Sequence, residues 1–481
     1  MQDVLDEFEG NVLPDARLCR RLRSMVGQAW KDPAASFPEM LENAASLEGG
    51  YRLFNNRSVT FGRLHAPHKA RTIERAEECG DVVVIEDTTD VETPYADASE
   101  VGYLQTGRVG YKLHVSLAVD VRPNRAPRPL GVLSAQPIFG GSPPSSRGKK
   151  KKKKLSGGAT ARLKDKRSMR WDQGIDASAE ALENCASVIH VADREADNYR
   201  LFCRILEHGH GCVIRLRNDR KARPAQDEDD IDDEWSLLSE IATETTGVFE
   251  RTVPLSKRGD KGPPAQLKTH PPRESRSAKL QYSAVEVVMK RPNYLPGLPD
   301  SLNLWMVCVW EPEPPEGEKA VNWTLLTTES CQSPGEILRA VDLYRARWMI
   351  EDYFKALKTG CAIQTRQLES RHALLNALAV FLPIAVHLLW IRCCARDTPD
   401  APATEVFTPL QLTVLRHRSH RRMPDHPTAM QALWALAGIG GHIKNNGWPG
   451  WQVLGRAFAK LLEAVAVWKL AMNARLMRAE M

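Results

Sequence analysis

Apolar and polar positions follow two rhythms along this chain, and the switch between them divides it. Up to about residue 75 the apolar residues recur at helical spacing. Around Asp15–Arg23, Leu18, Leu22 and Met25 mark one side of a helix, while Arg17, Arg20, Arg21 and Arg23 crowd the rest. From Asp81 the rhythm becomes β-like. Val82-Val83-Val84-Ile85 is a continuous β-branched run that suits a strand buried on both faces, Tyr111–Val121 alternates, and Gly131–Gln136 reads as a third strand. A helix over Ala177–Ser187 and a buried strand over Val188–Ala192 follow. Residues 210–330 are rich in strands (Cys212–Leu216, Val248–Pro254, Leu280–Lys290, Leu302–Trp310, Trp323–Thr328) and read as a β insertion. Tyr344–Lys358 predicts one helix. The apolar stretch His372–Ile391 is just long enough to span a bilayer. It contains Asn376, Pro383 and His387, and no second span accompanies it, so it predicts a buried helix of a soluble core. Thr398–Thr408 reads as a linker, Gly438–Gly450 as a loop, and Thr428–Ala437 and Trp451–Met472 as helices. The pattern is that of a mixed α/β chain with helical ends.

Length and charge add local detail. A chain of 481 residues holds two or three domains, and its net charge of +6 hides strong blocks of both signs. Six lysines, Lys149–Lys154, lie in a Gly/Pro/Ser-rich loop and offer sequence-blind affinity for DNA or plain solubility. Asp227–Glu234 is acidic and reads as a solvated loop, as does the Pro- and Lys-rich Lys257–Arg276. The ten cysteines show no metal-ligand spacing, which predicts reduced thiols in a cytoplasm.

Three acids draw attention. Asp87 and Asp193 each follow a β-branched run, and Glu351 lies on the Tyr344–Lys358 helix. If the two strands share a sheet, their carboxyl ends bring both aspartates to one edge, where a helix can add the glutamate. Three such carboxylates repel unless cations neutralise them, and their hard oxygens suit Mg²⁺ or Mn²⁺. At about 100° per residue, Tyr344, Arg347, Glu351 and Lys358 fall within an arc of roughly 60°. Trp348 and Lys355 lie beside them, while Met349, Tyr353, Ala356 and Leu357 point into a core. An acid in a stripe of cations and aromatics suits a carboxylate that holds a metal while its neighbours grip phosphates. Taken singly, a strand-end aspartate is also a common turn or cap residue.

Tyr344, Arg347, Glu351 and Lys358 match a Y-x2-R-x3-E-x6-K signature, and with it the chain resembles the bacterial DDE cut-and-paste transposases of the insertion-sequence-four family, its Tn-five-like members above all. Ile85-Glu86-Asp87-Thr88-Thr89 is similar to the family's first catalytic segment, Asp193-Arg194-Glu195-Ala196-Asp197 to its second, Trp323-Thr324-Leu325-Leu326-Thr327 to its base-pocket strand, and Gly50-Tyr51-Arg52-Leu53-Phe54 to its N-terminal domain. The resemblance implies an α/β fold with a ribonuclease-H-like mixed-sheet catalytic core at residues 76–375, carrying a β-strand insertion at about 210–330. It implies an N-terminal helical DNA-end-binding domain at 1–75 and a C-terminal helical domain at 376–481 suited to dimerisation. It further implies that Asp87, Asp193 and Glu351 bind two Mg²⁺ (or Mn²⁺) ions. Tyr344, Arg347 and Lys358 would hold phosphates, Trp323 would stack on a flipped base in a pocket shaped by Trp348, and Arg215 and Arg217 would assist a DNA hairpin. Arg17, Arg20 and Arg21 are the candidate DNA contacts of the first helix, where the alternative is a solvated amphipathic face. The expected partners are double-stranded DNA, as the element's terminal inverted repeats and as target, and a second copy of the chain, with no membrane. The expected location is the bacterial cytoplasm, at the nucleoid. Two other readings stay open: a catalytically silent protein that occupies and inhibits DNA ends, and a ribonuclease-H-like nuclease that cuts without joining.

Overall fold

The computed structural model describes residues 4–10, 13–41, 43–122, 126–141, 169–225, 235–259, 271–443 and 447–479. The lysine run at 149–154, the acidic block at 227–234 and the middle of the 257–276 loop lie outside the described residues. In chain order the main elements are α1 (Ala16–Lys31), α2 (Ala44–Asn55), α3 (Phe61–Cys79), β1 (Asp81–Glu92), β2 (Gly110–Asp120), β3 (Arg128–Ile138), α4 (Met169–Ala181), β4 (Ser187–Ala192), α5 (Tyr199–Glu207), β5 (Gly211–Arg215) and β6 (Lys221–Pro224). There follow β7 (Phe249–Leu255), β8 (Arg276–Lys290), β9 (Ser301–Trp310), β10 (Asn322–Thr327), α6 (Pro334–Ala346), α7 (Trp348–Lys355), α8 (Arg371–Asp397), α9 (Pro409–Arg418), α10 (Ala429–Ile439) and α11 (Trp451–Ala479). The chain forms two compact units: Met1–Lys150 with Glu180–Ala186 and Trp348–Met481, and Lys151–Ala179 with Ser187–Arg347.

In the first unit β1 pairs antiparallel with β2, and β2 with β3. The buried run Val82–Ile85 starts β1, but the strand does not stop there. It continues to Glu92, so Asp87 sits in mid-strand, opposite Val115, rather than at the strand end that the sequence pattern suggested. The polar half stays in the ladder because its alternate side chains find cross-strand partners. Thr88 Oγ1 lies 2.9 Å from His114 Nδ1, and Lys112 Nζ donates to Asp90 Oδ1 at 2.7 Å. Helix α8 is the unit's spine. Ser370 caps its first turn by accepting from the Ala373 amide, and it packs against α2, α3, β3 and α10. It is long and apolar enough to cross a membrane by length and composition, and 89% of its apolar window is buried inside the protein, as a helix apolar on all sides requires.

The helix expected over Tyr344–Lys358 is interrupted twice. Helix α6 ends at Ala346, Arg347 forms a turn at φ −49° and ψ −33°, and α7 gives way to a π-turn over Ala356–Gly360. The arc computed for one uninterrupted helix therefore does not extend to Lys358. Packing explains the π-turn: Ala356, Leu357 and Gly360 are buried, and a Cβ added at Gly360 would lie 3.1 Å from Leu388 Cδ1 of α8. Helix α9 was hidden at the end of the expected linker, since Leu410, Leu412 and Val414 alternate like a strand. Its start is fixed by Thr408 and Gln411, which form a capping box around Pro409.

The second unit is built on a mixed sheet. β4 runs parallel to β5, β5 antiparallel to β10, β10 to β9 and β9 to β8, while β6 and β7 both pair with β8. Phe202 and Ile205 of α5 pack with Ile214, Met306 and Leu326 in its core. The chain is thus α/β, with a mixed sheet and helices at both ends, an arrangement compatible with a ribonuclease-H-like core.

Candidate active site and nucleic-acid interface

In the first unit, strand alternation sets what Asp87 faces. Glu86 turns to the buried side, where its Oε2 accepts from Ser116 Oγ at 2.8 Å and lies 3.0 Å from His114 Nε2. Asp87 and Thr89 turn to the opposite face. Asp87 Oδ1 accepts the Thr88 amide at 2.7 Å. Lys358 Nζ donates to Thr89 Oγ1 at 2.6 Å, so the π-turn is pinned to the face of β1 that carries Asp87, and α7 packs against that strand. Glu351, half-buried, lies on α7. Burial lowers the Lys358 pKa, against the pull of Asp90 and Glu92. Trp348 stands 56% exposed, with Lys355 Nζ 5.9 Å from its ring centre. Thr89 was not singled out from the sequence. The signal was its place two residues from Asp87 on one strand face.

In the second unit, Asp193 directly follows β4, as the sequence suggested, and accepts the Glu195 amide at 2.8 Å. Asp197 in the same segment has a structural task. Buried, it accepts the amides of Arg217 and Asn218 at 2.7 Å each and Arg220 Nη1 at 2.5 Å, tying this segment to the turn after β5. Arg215 ends β5, whereas Arg217 lies beyond the strand and is exposed. The Arg215 guanidinium sits 5.7 Å from the Trp323 ring and donates to the Asn322 carbonyl at 3.1 Å. Tyr344, 6% exposed, meets Trp323 edge-on at 5.6 Å, and Arg347 lies 5.9 Å from the Tyr344 ring. Tyr344 is thus a wall of this cluster rather than an open surface residue. Burial lowers the Arg215 pKa; a hydrogen bond and charge interaction with Tyr344 raise it, while the charges of Arg194 and Arg347 lower it further. Arg194 had no assigned role in the sequence. Its cue was its position beside Asp193. Arg215 and Arg347 each lie by an aromatic ring, an arrangement that suits an anion attached to a planar group.

Helix α1 buries Leu22, Met25 and Val26 and exposes Arg17, Arg20, Arg21 and Arg23. Arg17 is held by Asp15, with Nη2 to Oδ2 at 3.0 Å. Arg21 lies across α2, where a Cβ on Gly49 would fall 1.3 Å from its Nη1.

Carboxylate oxygens are the hard donors that Mg²⁺ and Mn²⁺ take. Asp87 and Glu351 are both half-buried, so each is of the right chemistry and accessible to such an ion. Among the described residues no group of three or more His, Cys, Asp or Glu side chains gathers to hold one.

The exposed arginines of α1 offer positive charge of the kind that contacts phosphates. Residues 2–59 match the family model described as transposase DNA-binding. That span contains α1 and α2 with their exposed arginines. The match supports a transposase with DNA as its partner.

Proposed function

We propose that this chain is a DDE cut-and-paste DNA transposase of the insertion-sequence-four kind. It cleaves the ends of a mobile element through a hairpin and joins them to target DNA, acting as a dimer. The observation that carries the reading is the Lys358–Thr89 bond, which seats the segment following Glu351 on the Asp87 face of β1. The DNA-binding match supplies the substrate. Asp87, Glu351 and Asp193 would hold the divalent cations, whose chemistry when bound is to activate a nucleophile and stabilise a leaving oxygen. The chain's own residues position the DNA. Arg347 clamps a phosphate with two donors, as a lysine cannot, Lys358 adds a point charge, and Trp348 shapes the pocket. Trp323 offers its ring to an extruded base, a contact worth about 1–3 kcal/mol. Arg215 and Arg217 steady the bent strand.

Glu351→Ala is expected to bind element ends as the parent does, yet neither nick nor join them with Mg²⁺. Undiminished cleavage by this variant would defeat the proposal. A second reading, a protein that occupies DNA ends without chemistry, draws on the lack of a gathered acid trio among the described residues. Metal-dependent nicking by the parent chain excludes it. Recovery of joined products in a plasmid integration assay excludes a nuclease that only cuts.

A further inference from the structure

The C-terminal helices of the first unit carry a charge pattern that the proposed chemistry does not use. Between Val406 and Leu462 the sequence has a single carboxylate, Asp425, against five arginines and two lysines. Four of those arginines fall in Arg416–Arg422, with His417 and His420 between them. Asp425 is already engaged: Arg416 Nη1 lies 3.6 Å from its Oδ1, and Arg416 Nη2 donates to the carbonyls of Pro424 and Asp425 at 3.2 and 2.8 Å. Arg418 and Arg422 are exposed, and among the described residues no carboxylate pairs with either.

Cations in the last turn of a helix offset its dipole, and that accounts for Arg416 and Arg418 at the end of α9. It does not reach Arg421 and Arg422, which lie past the helix. Arg421 is laid flat on α10, 5.2 Å from the Trp434 ring and close over Gly438. Trp434 in turn meets Trp448 at 5.9 Å and His442 at 5.1 Å, and Trp448 is 44% exposed. His417 stacks on Trp468 at 5.2 Å. A guanidinium held on an aromatic face, beside others left unneutralised, forms a surface that attracts a polyanion.

We propose that Arg418 and Arg422, with the Arg421–Trp434 platform, form a second DNA-contact surface on the C-terminal helices that binds the phosphate backbone of duplex DNA without regard to sequence. This rests on the reading that the chain works on DNA, and it adds a contact outside both the N-terminal match and the acid-bearing strands. Phosphates neutralise the exposed arginines, and displaced counterions drive the binding.

The test measures the affinity of the full chain for a linear duplex of arbitrary sequence over a range of salt concentrations. Each phosphate contact adds about 0.9 to the slope of log K against log salt, so R418Q/R422Q should be shallower than the parent by roughly 2. R418K/R422K keeps both charges and should retain the parent slope. Lys257→Gln, whose ammonium is already paired with Glu274 at 2.8 Å, should also leave it unchanged. An unchanged slope in R418Q/R422Q overturns the proposal and leaves the patch to an acidic protein surface. An equal fall in the lysine variant or in the Lys257 control overturns it too. A parent with no salt-dependent DNA affinity removes the DNA reading itself, which separates the two failures.

Discussion

Two clusters of charge in this protein, one buried and one partly open, are built on opposite principles. In the first unit Glu7, 2% exposed, is surrounded. His68 Nδ1 is 2.6 Å away, Arg75 Nη1 2.8 Å and His387 Nε2 3.5 Å. His68 Nε2 accepts the Val132 amide at 3.0 Å, which orients Nδ1 toward Glu7. Burial pushes the Glu7 carboxyl up, but His68 and His387 outweigh it and hold the pKa far below the usual range. In the second unit Arg215 is gathered with like charges, Arg194 and Arg347, and among the described residues no carboxylate pairs with it. Its Nε is buried with no hydrogen-bond partner among them. A closed cluster holds the fold together. An open one bears a desolvation cost that an incoming phosphate can relieve. The distinction separates charge that is neutralised within the fold from charge that is not.

The closed cluster is most readily broken at Glu7. Glu7→Leu leaves Arg75 and two histidines without their acceptor and should lower unfolding stability by about 3–5 kcal/mol at neutral pH. The sign with pH follows from the lowered pKa. In the unfolded chain Glu7 takes a proton near the ordinary value of 4.5, while in the folded chain it resists. The gap between parent and variant is therefore full above that value and closes as pH falls through the folded value. Denaturant unfolding at neutral pH and at successively lower pH checks it, and a gap that widens on acidification would show that Glu7 is protonated in the fold.

Arg215→Met probes the open cluster. Removing a desolvated cation that lacks a carboxylate should leave stability equal or higher, while metal-dependent cleavage of element ends falls by about 10²–10³, as when one preorganised donor is lost. A variant that unfolds more easily and cleaves normally would place Arg215 with Glu7 as a structural charge. Glu7→Leu is predicted to lower stability, whereas Arg215→Met is predicted not to.

How much of this was legible in the sequence follows from where each cause lies. The apolar start of β1 was legible from local β-branching. Its polar continuation was not, because Thr88 and Asp90 are kept in the ladder by His114 and Lys112 of another strand. The inward side of the 344–358 segment was legible too: Met349, Tyr353, Ala356 and Leu357 are buried as helical spacing required. The break at Arg347 and the π-turn were not, since the turn meets α8 at a contact far away in sequence. Tyr344 was placed on the face opposite the core, yet it is buried against Trp323. Periodicity tells which side of a helix a residue occupies, not whether a second aromatic covers it. Glu7 showed no signal at all, because its partners lie on α3 and α8.

The smallest predicted effect concerns the bond that joins β1 to the π-turn. Thr89→Val keeps the shape and the β-branching of the side chain and removes only the oxygen that accepts from Lys358. Lys358 is partly buried and its pKa is lowered by burial, so it already bears a desolvation cost. Losing one charge-assisted bond should cost about 1.5–3 kcal/mol at most, and less where water reaches the ammonium. Because Glu351 lies seven residues before Lys358, that loss loosens the placement of α7 on the Asp87 face, and the nicking rate should fall by roughly tenfold, with DNA affinity changed less. Thr89→Ser restores the hydroxyl and should restore most of the rate. Single-turnover nicking of an end-bearing duplex separates the outcomes: parental rates in Thr89→Val would show that the bond fixes packing alone, whereas recovery in Thr89→Ser and not in Thr89→Val identifies Thr89 as a positioning residue that acts through Lys358.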